Sequence, residues 1–441
     1  MKKILIASFS LFVVISCTKS NFNETTTSPP PPIIINHTIT SINPVRAQYG
    51  NTVTIKGTNF GTIASILQVT INGTVVPIST VIDTDITVTI PVGLGSGVVA
   101  VKKNTTNVNG PSFEYLYTGN VTTIAGSATA TAPTGTNPLA VGFNQPTGIA
   151  LDAAGNLFVA DFGASHIRKI TPAGVVTISS TLYLAGANIN PTDFAIAANG
   201  MQYGCVNQHA IVNYTANGFS TVAGNYQAFY LDGPNTILGN TPAAAFNAPS
   251  YLTSNGSNEL FIADTYNYCI RKVVPGPGGI TTTFAGLNIQ GDLNANGTAA
   301  RFNQPYGIIF DANNNLLVCD AGVGKIKKIT GTKDVTTLAG TTVGFADGLL
   351  ATAKFNSPVS LAYDNAQNLV VADLNNTIRC ISPSGYVYTV AGIPSLNAGT
   401  FADGVGTAAR FNFPFKIIYV NGKTFYISDT GNKRIRKLIL E

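Results

Sequence analysis

Of the residues able to do chemistry, histidine is the scarcest: the 441-residue chain has three, His37, His166 and His209. The aspartates are more regular. Asp161, Asp264, Asp320 and Asp429 each precede a basic residue by seven positions (Arg168, Arg271, Lys327 and Arg436), and Asp373 precedes Arg379 by six. At that spacing the two ends of a hairpin lie side by side, so each pair can bridge neighbouring strands or cap the turn between them. A pair that recurs in this way reads as architecture, because a catalytic group is expected once. The residues that depart from the repeat are His166, His209 and Asp193; gathered together they would give a lyase or hydrolase site, which is the enzymatic alternative. No Ser-His-Asp grouping can be assembled, Glu259 is the one glutamate between Glu114 and the terminal Glu441, and CxxC or zinc spacings are absent. No catalytic residue is assigned, and no cofactor or metal is expected. The loops around Asp232, Asp292, Asp347 and Asp403 each supply one carboxylate, whereas calcium takes about six to eight oxygens, so they read as plain turns.

The same aspartates count the elements that must position these groups. A unit such as Phe302 to Gly340 holds four β-type runs (GIIFD, NLLVCD, KIKKI and VTTLAG) separated by Asn- or Gly-rich turns, the pattern of an antiparallel meander. Such a unit cannot bury both faces alone, so it has to be stacked. It recurs after Phe143, Phe246, Phe355 and Phe411, and a degraded copy fits the long gap between Asp161 and Asp264, at Pro191 to Gly224, with Cys205 in the aspartate column and Val212 in the arginine column. Six four-stranded units predict a six-bladed β-propeller. The last unit stops after its third run, while VTTIAG, Val121 to Gly126, stands ahead of the first unit without a blade of its own. The first strand is therefore expected to complete the last blade and close the ring, leaving no open sheet edge.

These units resemble the NHL-repeat family in its bacterial form, whose loops carry an ADG-x-GTA-x-FN-x-P pattern. The matching stretches are FADGLLATAKFNSP from Phe345 and FADGVGTAARFNFP from Phe401, with looser copies from Leu231 and Gly291. The resemblance covers roughly Val121 to Glu441 and implies a propeller that mostly serves as a binding scaffold. A second β unit, residues 39–118, resembles the IPT/TIG family through Asn43-Pro44, the turn Gly57-Thr58-Asn59-Phe60-Gly61, Ile71-Asn72-Gly73 and the exit Phe113-Glu114-Tyr115. It implies an immunoglobulin-like sandwich of spacer or binding type. The expected fold class is thus all-β: an N-terminal immunoglobulin-like β-sandwich followed by a six-bladed β-propeller over residues 119–441.

Ahead of both, residues 1–17 have two lysines, an apolar stretch from Ile4 to Ile15, and Val14-Ile15-Ser16-Cys17, which resembles a bacterial lipobox. Cleavage before Cys17 and acylation of its thiol would make an outer-membrane lipoprotein, facing the periplasm or the cell surface, with lipid as its membrane anchor. Residues 18–38, including Pro29 to Pro32 and His37, read as an extended tether. With 10% charged residues, 45% hydrophobic residues, 44 glycines and a net charge of +5 spread along the chain, no basic patch forms, so nucleic acid is excluded as a partner and a monomer is expected. Cys205, Cys269, Cys319 and Cys380 fall in strands of four different units, beyond disulfide reach, and read as buried apolar residues.

What remains for function is a surface. The residues after each FNxP proline begin the innermost strands and should ring the channel mouth. They are Thr147, Thr192 with Asp193, Ser250 with Tyr251, Tyr306, Val359, and Phe415 with Lys416; Phe162, Tyr266 and Tyr268 come from adjacent loops. Phe162, Tyr251, Tyr266, Tyr306, Phe415 and Lys416 are the candidate ligand-binding set, suited to a glycan or an extended protein segment.

Overall fold

Turn chemistry sets the strand order. In blade 1 the Oδ1 of Asp152 accepts the N–H groups of Ala154 and Asn156 at 3.0 and 2.8 Å, fixing the hairpin between Pro146–Leu151 and Leu157–Asp161. The device recurs at Asn255, Asp311 and Asp364. After the second strand, a residue in the left-handed region (Ser165, Tyr268, Gly324 or Lys433) ends a short 3₁₀ turn and starts the third. The computed structural model describes residues 36–184, 187–215, 218–235, 243–395 and 401–441, so Cys17, the signal segment and all but the end of the tether lie outside the described residues. Every regular element described that is longer than three residues is a strand.

The first unit is a sandwich of two sheets, one of four strands and one of five. Its core comes from alternating inward residues, among them Val53, Ile55, Val69, Ile86, Val99 and Val101, all fully buried. His37 belongs to this unit and not to the tether: it is 3% exposed, and its Nε2 lies 2.8 Å from the Val101 carbonyl. The sandwich is fixed against blade 5. Arg46 bonds Glu114 at 2.7 Å and stacks on the Tyr386 ring, Ser384 donates to Glu114, and the Tyr117 N–H donates to the Tyr388 hydroxyl.

Six sheets form the ring. Four of the six second strands, Leu157–Asp161, Leu260–Asp264, Leu316–Asp320 and Leu369–Asp373, are buried along their length, because neighbouring blades cover both faces. Closure is as expected: Gly119–Ala125 pairs antiparallel with Arg434–Leu440, from Gly119 opposite Leu440 to Ala125 opposite Ile435. Gly404–Val405 then covers the outer edge of Gly119–Ala125. In blade 2 the ladder places Val206, not Cys205, in the aspartate column, since Val206 faces Pro191 as Asp161 faces Pro146; Val212 opposes Gly204 and keeps the arginine column. All four described cysteines are free and buried.

The repeated pairs are buried staples. Asp161–Arg168, Asp264–Arg271 and Asp429–Arg436 close at 2.6, 2.8 and 2.6 Å, with every side chain at most 3% exposed. The second carboxylate oxygen reaches across to the FN loop, as where Asp161 Oδ1 accepts the Asn144 and Gln145 N–H groups. The guanidinium continues outward: Arg436 donates to the Arg410 and Ala402 carbonyls and to Asp403, and lies between the rings of Phe401 and Phe411. Arg379 keeps the same register opposite Val371 despite its shorter hairpin, but stands 3.9 Å from Asp373. Blade 4 substitutes Lys327, whose single ammonium divides itself among Asp320 at 3.3 Å, Asp292 at 3.0 Å and the Arg301 carbonyl. Asp320 Oδ2 is left without a hydrogen bond, and burial pushes this carboxyl up to about 7, with Lys327 and the Asn303 N–H pulling it down and Asp292 raising it.

Two tests follow from this frame. A chain starting at Gly119 should give a monomeric ring, whereas one starting at Ser127 leaves Arg434–Leu440 as an open edge and should oligomerise or unfold; light scattering with a thermal melt distinguishes them, and identical behaviour of both would refute closure. A group whose folded pKa is raised holds its proton more tightly when folded, so its stabilising contribution is present at low pH and is lost as pH rises towards about 7. The stability of the wild-type ring relative to Asp320→Asn should therefore fall between pH 5 and 7.5 in denaturant titrations; a constant difference would contradict the burial argument.

Candidate functional site

The residues that follow each FNxP proline occupy two columns of the innermost strands. The first holds Thr147, Thr192, Ser250, Tyr306, Val359 and Phe415; the second holds Gly148, Asp193, Tyr251, Gly307, Ser360 and Lys416. Small polar members of the first column tie blade to blade: Thr147 Oγ1 donates to the Pro191 carbonyl at 3.2 Å, and Thr192 Oγ1 to that of Pro249 at 3.1 Å. The glycines are required by close approach, since a Cβ on Gly148 would stand 2.5 Å from the Asp193 Cα and one on Gly307 2.5 Å from the Val359 carbonyl oxygen.

The aromatic members converge. Tyr251 stacks on Phe415 with ring centroids 5.4 Å apart, Tyr306 meets both edge-on at 6.3 Å, and the Tyr251 hydroxyl donates to the Phe415 carbonyl. Tyr251 is 1% exposed, so it is a buried packing residue and not an open platform; Tyr306 and Phe415 are half-buried above it. Beside this cluster Lys416 of blade 6 reaches Asp193 of blade 2, its Nζ 2.6 and 2.8 Å from the two carboxylate oxygens and 4.7 Å from the Tyr251 ring centre. Asp193 is fully buried and also accepts the Leu252 N–H at 3.0 Å. Burial pushes its carboxyl above the usual range, with Lys416 opposing the shift.

Below this plug lies a cavity of about 390 Å³ to which all six innermost strands contribute. Its walls are the later positions of those strands, such as Ile149 to Leu151, Ile308 to Phe310 and Ile417 to Tyr419, so it occupies the half of the channel that leads to the first-to-second-strand turns. Sequence reasoning placed the candidate site at the other end. Phe162 and Tyr266 do sit on the loop face, half-buried and 46% exposed respectively, and the same face carries Phe229, Phe401 and Phe413 at 63, 40 and 46%. The candidate set thus divides: Phe162, Tyr266, Tyr306 and Phe415 stand at or near the loop face, while Tyr251 and Lys416 line the inner end of the cavity.

The histidines do not join Asp193. His209 is the left-handed residue of its hairpin (φ 63°), and its Nδ1 accepts the Ala248 N–H at 3.0 Å, as Asn376 Oδ1 accepts that of Phe413 in blade 5. His166 opens its strand opposite Asp161, and burial followed by the nearby Arg168 charge lowers its pKa. Among the described residues no three His, Cys, Asp or Glu side chains gather within reach of one metal ion. The carboxylates of Asp232, Asp292, Asp347 and Asp403 each bind an internal cation, Arg271, Lys327, Arg379 or Arg436, at 2.5 to 3.0 Å.

Comparison with known proteins agrees with this architecture. Residues 38–118 match the IPT/TIG domain model, and residues 143–170 match the NHL repeat. The chain is 30% identical over 267 residues to Protein SUPPRESSOR OF QUENCHING 1, chloroplastic, of Arabidopsis thaliana; the match takes in 54% of this chain but 24% of that protein, so the chain spans about a quarter of this relative's length. Among solved structures, a protein of unknown function from Bacteroides thetaiotaomicron superposes with a TM-score of 0.57 at 21% identity, covering 92% of this chain and 98% of its own. An auxiliary nutrient binding protein from Bacteroides ovatus does so with a TM-score of 0.54 at 17% identity and the same coverage. At these identities what is shared is the fold. The chain therefore carries an IPT/TIG domain over residues 38–118 and an NHL repeat over residues 143–170, the latter within the first blade of the six-sheet ring.

Proposed function

We propose that this chain is a non-enzymatic binding protein of the bacterial envelope, engaging a glycan or an extended protein segment with the loop face of its propeller. The observation that carries the reading is the set of exposed aromatic rings, Phe229, Tyr266, Phe401 and Phe413, together with half-buried Tyr306 and Phe415. Rings held by a rigid frame offer stacking area at little entropic cost, which suits sugar faces and peptide side chains alike. A protein of the same fold is described as an auxiliary nutrient binding protein, which supports a binding role. The enzymatic alternative finds less support, because Asp193 is neutralised by Lys416 and His209 accepts a backbone N–H.

Glycan and peptide arrays probed with the purified chain test the reading. Burial of one stacked ring is worth about 1 to 2 kcal/mol, so Tyr306→Ala or Phe415→Ala should each weaken binding about tenfold. Binding that survives both changes, or an array ligand that is turned over and whose turnover disappears in His166→Ala or His209→Ala, would overturn it.

The envelope location rests on Cys17. Changing Cys17→Ser should move the protein from the membrane to the soluble fraction; unchanged membrane partition after fractionation would remove the lipid anchor from the proposal.

A further inference from the structure

The cavity on the far side of the aromatic plug differs in its chemistry from the loop face. Its walls are dominated by aliphatic and aromatic residues from all six blades, with Ile149, Ile196, Ile309, Phe310, Leu361 and Ile418 as examples. Polar side chains are few, and two of them, Ser360 and Lys416, stand where the cavity meets the plug. Lys416 has three N–H groups, of which the Asp193 oxygens take two; among the described residues no other hydrogen-bond acceptor for its Nζ is found. Because Asp193 is fully buried and paired with Lys416, the inner end of the cavity carries no net charge but keeps a strongly polarised donor. A charged ligand would meet no compensating ion there and would lose its hydration, whereas a polyhydroxylated one would leave most of its hydroxyls facing aliphatic walls.

We infer that the channel takes an uncharged, mostly apolar small molecule of one or two rings, with a single acceptor oxygen directed at Lys416. The volume falls within the range of about 300 to 1,000 Å³ typical of small-molecule pockets. Half-buried Tyr363 and Tyr419 belong to the same lining, near the open end, where aromatic side chains with polar tips suit a boundary between apolar cavity and water. The site is independent of loop-face binding, since the plug of Tyr251, Tyr306 and Phe415 stands between the two.

A suitable probe is 6-propionyl-2-(dimethylamino)naphthalene, an uncharged two-ring ketone whose emission shifts to the blue in apolar surroundings. With the full chain it should show saturable one-to-one binding. Ile309→Trp and Ala150→Trp, which fill the cavity from two blades, should each weaken that binding at least tenfold, while Phe413→Ala on the loop face leaves it unchanged. The paired change Asp193→Asn with Lys416→Met removes the donor without stranding a charge, and should weaken binding about three- to tenfold. Melting curves accompany each variant, so that lost binding is counted only for folded protein. Absence of saturable binding by the unaltered chain, affinity that survives both tryptophan variants, or displacement of the probe by maltose would each overturn the proposal, the last by replacing an apolar ligand with a sugar.

Discussion

A carboxylate withdrawn from water has to be met by a cation or by hydrogen bonds, and this ring repeats one solution to that requirement. Each staple joins three separate pieces of chain. The aspartate ends the second strand, its oxygens hold the N–H groups of the FN loop, and the basic residue on the third strand extends to carbonyls of the incoming interblade loop. None of these pieces could be shifted by one residue without leaving a buried charge unpaired, at a cost of about 3 to 5 kcal/mol per broken pair. The staple therefore fixes register more than it adds stability. Blade 2 shows the complement: Val206 and Val212 replace the pair with apolar groups, and Gln208 accepts the Asn190 N–H. Both partners changed together, which is the substitution that costs least.

Fixed register has consequences at the centre of the ring. Every blade presents its FNxP proline opposite the aspartate column, so the residues that follow fall into rows shared by all six blades. Only with rows aligned can Lys416 meet Asp193 across a sequence separation of 223 residues. The plug is thus a product of the repeat, although only blades 3, 4 and 6 contribute rings to it.

The sequence made the periodic part of this legible. Turn residues, the aspartate spacing and the stray strand at Val121 were enough to count six blades and to close them, because each rests on chemistry within one hairpin or on an element left over at the chain's end. In blade 2 the column is displaced by one residue from the expected one, since without an aspartate only the ladder against Pro191 shows that Val206 and not Cys205 stands in that column. His37 reads as part of the tether because nothing local marks a histidine whose partner, Val101, lies 64 residues away. Tyr251 looked like a ligand platform because its neighbours Tyr306 and Phe415 come from other blades, and burial by residues that distant leaves no trace in spacing. One signal did exist: Asp193 and Lys416 are the two charged residues of an otherwise uncharged column, and opposite charges on converging strands are candidates for a pair.

The division of the channel bears on what either face can do. A channel open from end to end would let solvent reach Asp193 and Lys416, and in water an ion pair contributes little. With the aromatic plug on one side and an apolar cavity on the other, the same pair works in a weaker dielectric, where it holds blades 2 and 6 in fixed relation. The two faces are then joined by a packed layer of side chains. Side chains that present Tyr306 and Phe415 upward are braced by Tyr251, which in turn supports the ammonium facing the cavity, so the shape of each site depends on one packed layer between them. Because close-packed layers resist compression and shift little, ligands on opposite faces would share a scaffold without sharing a path.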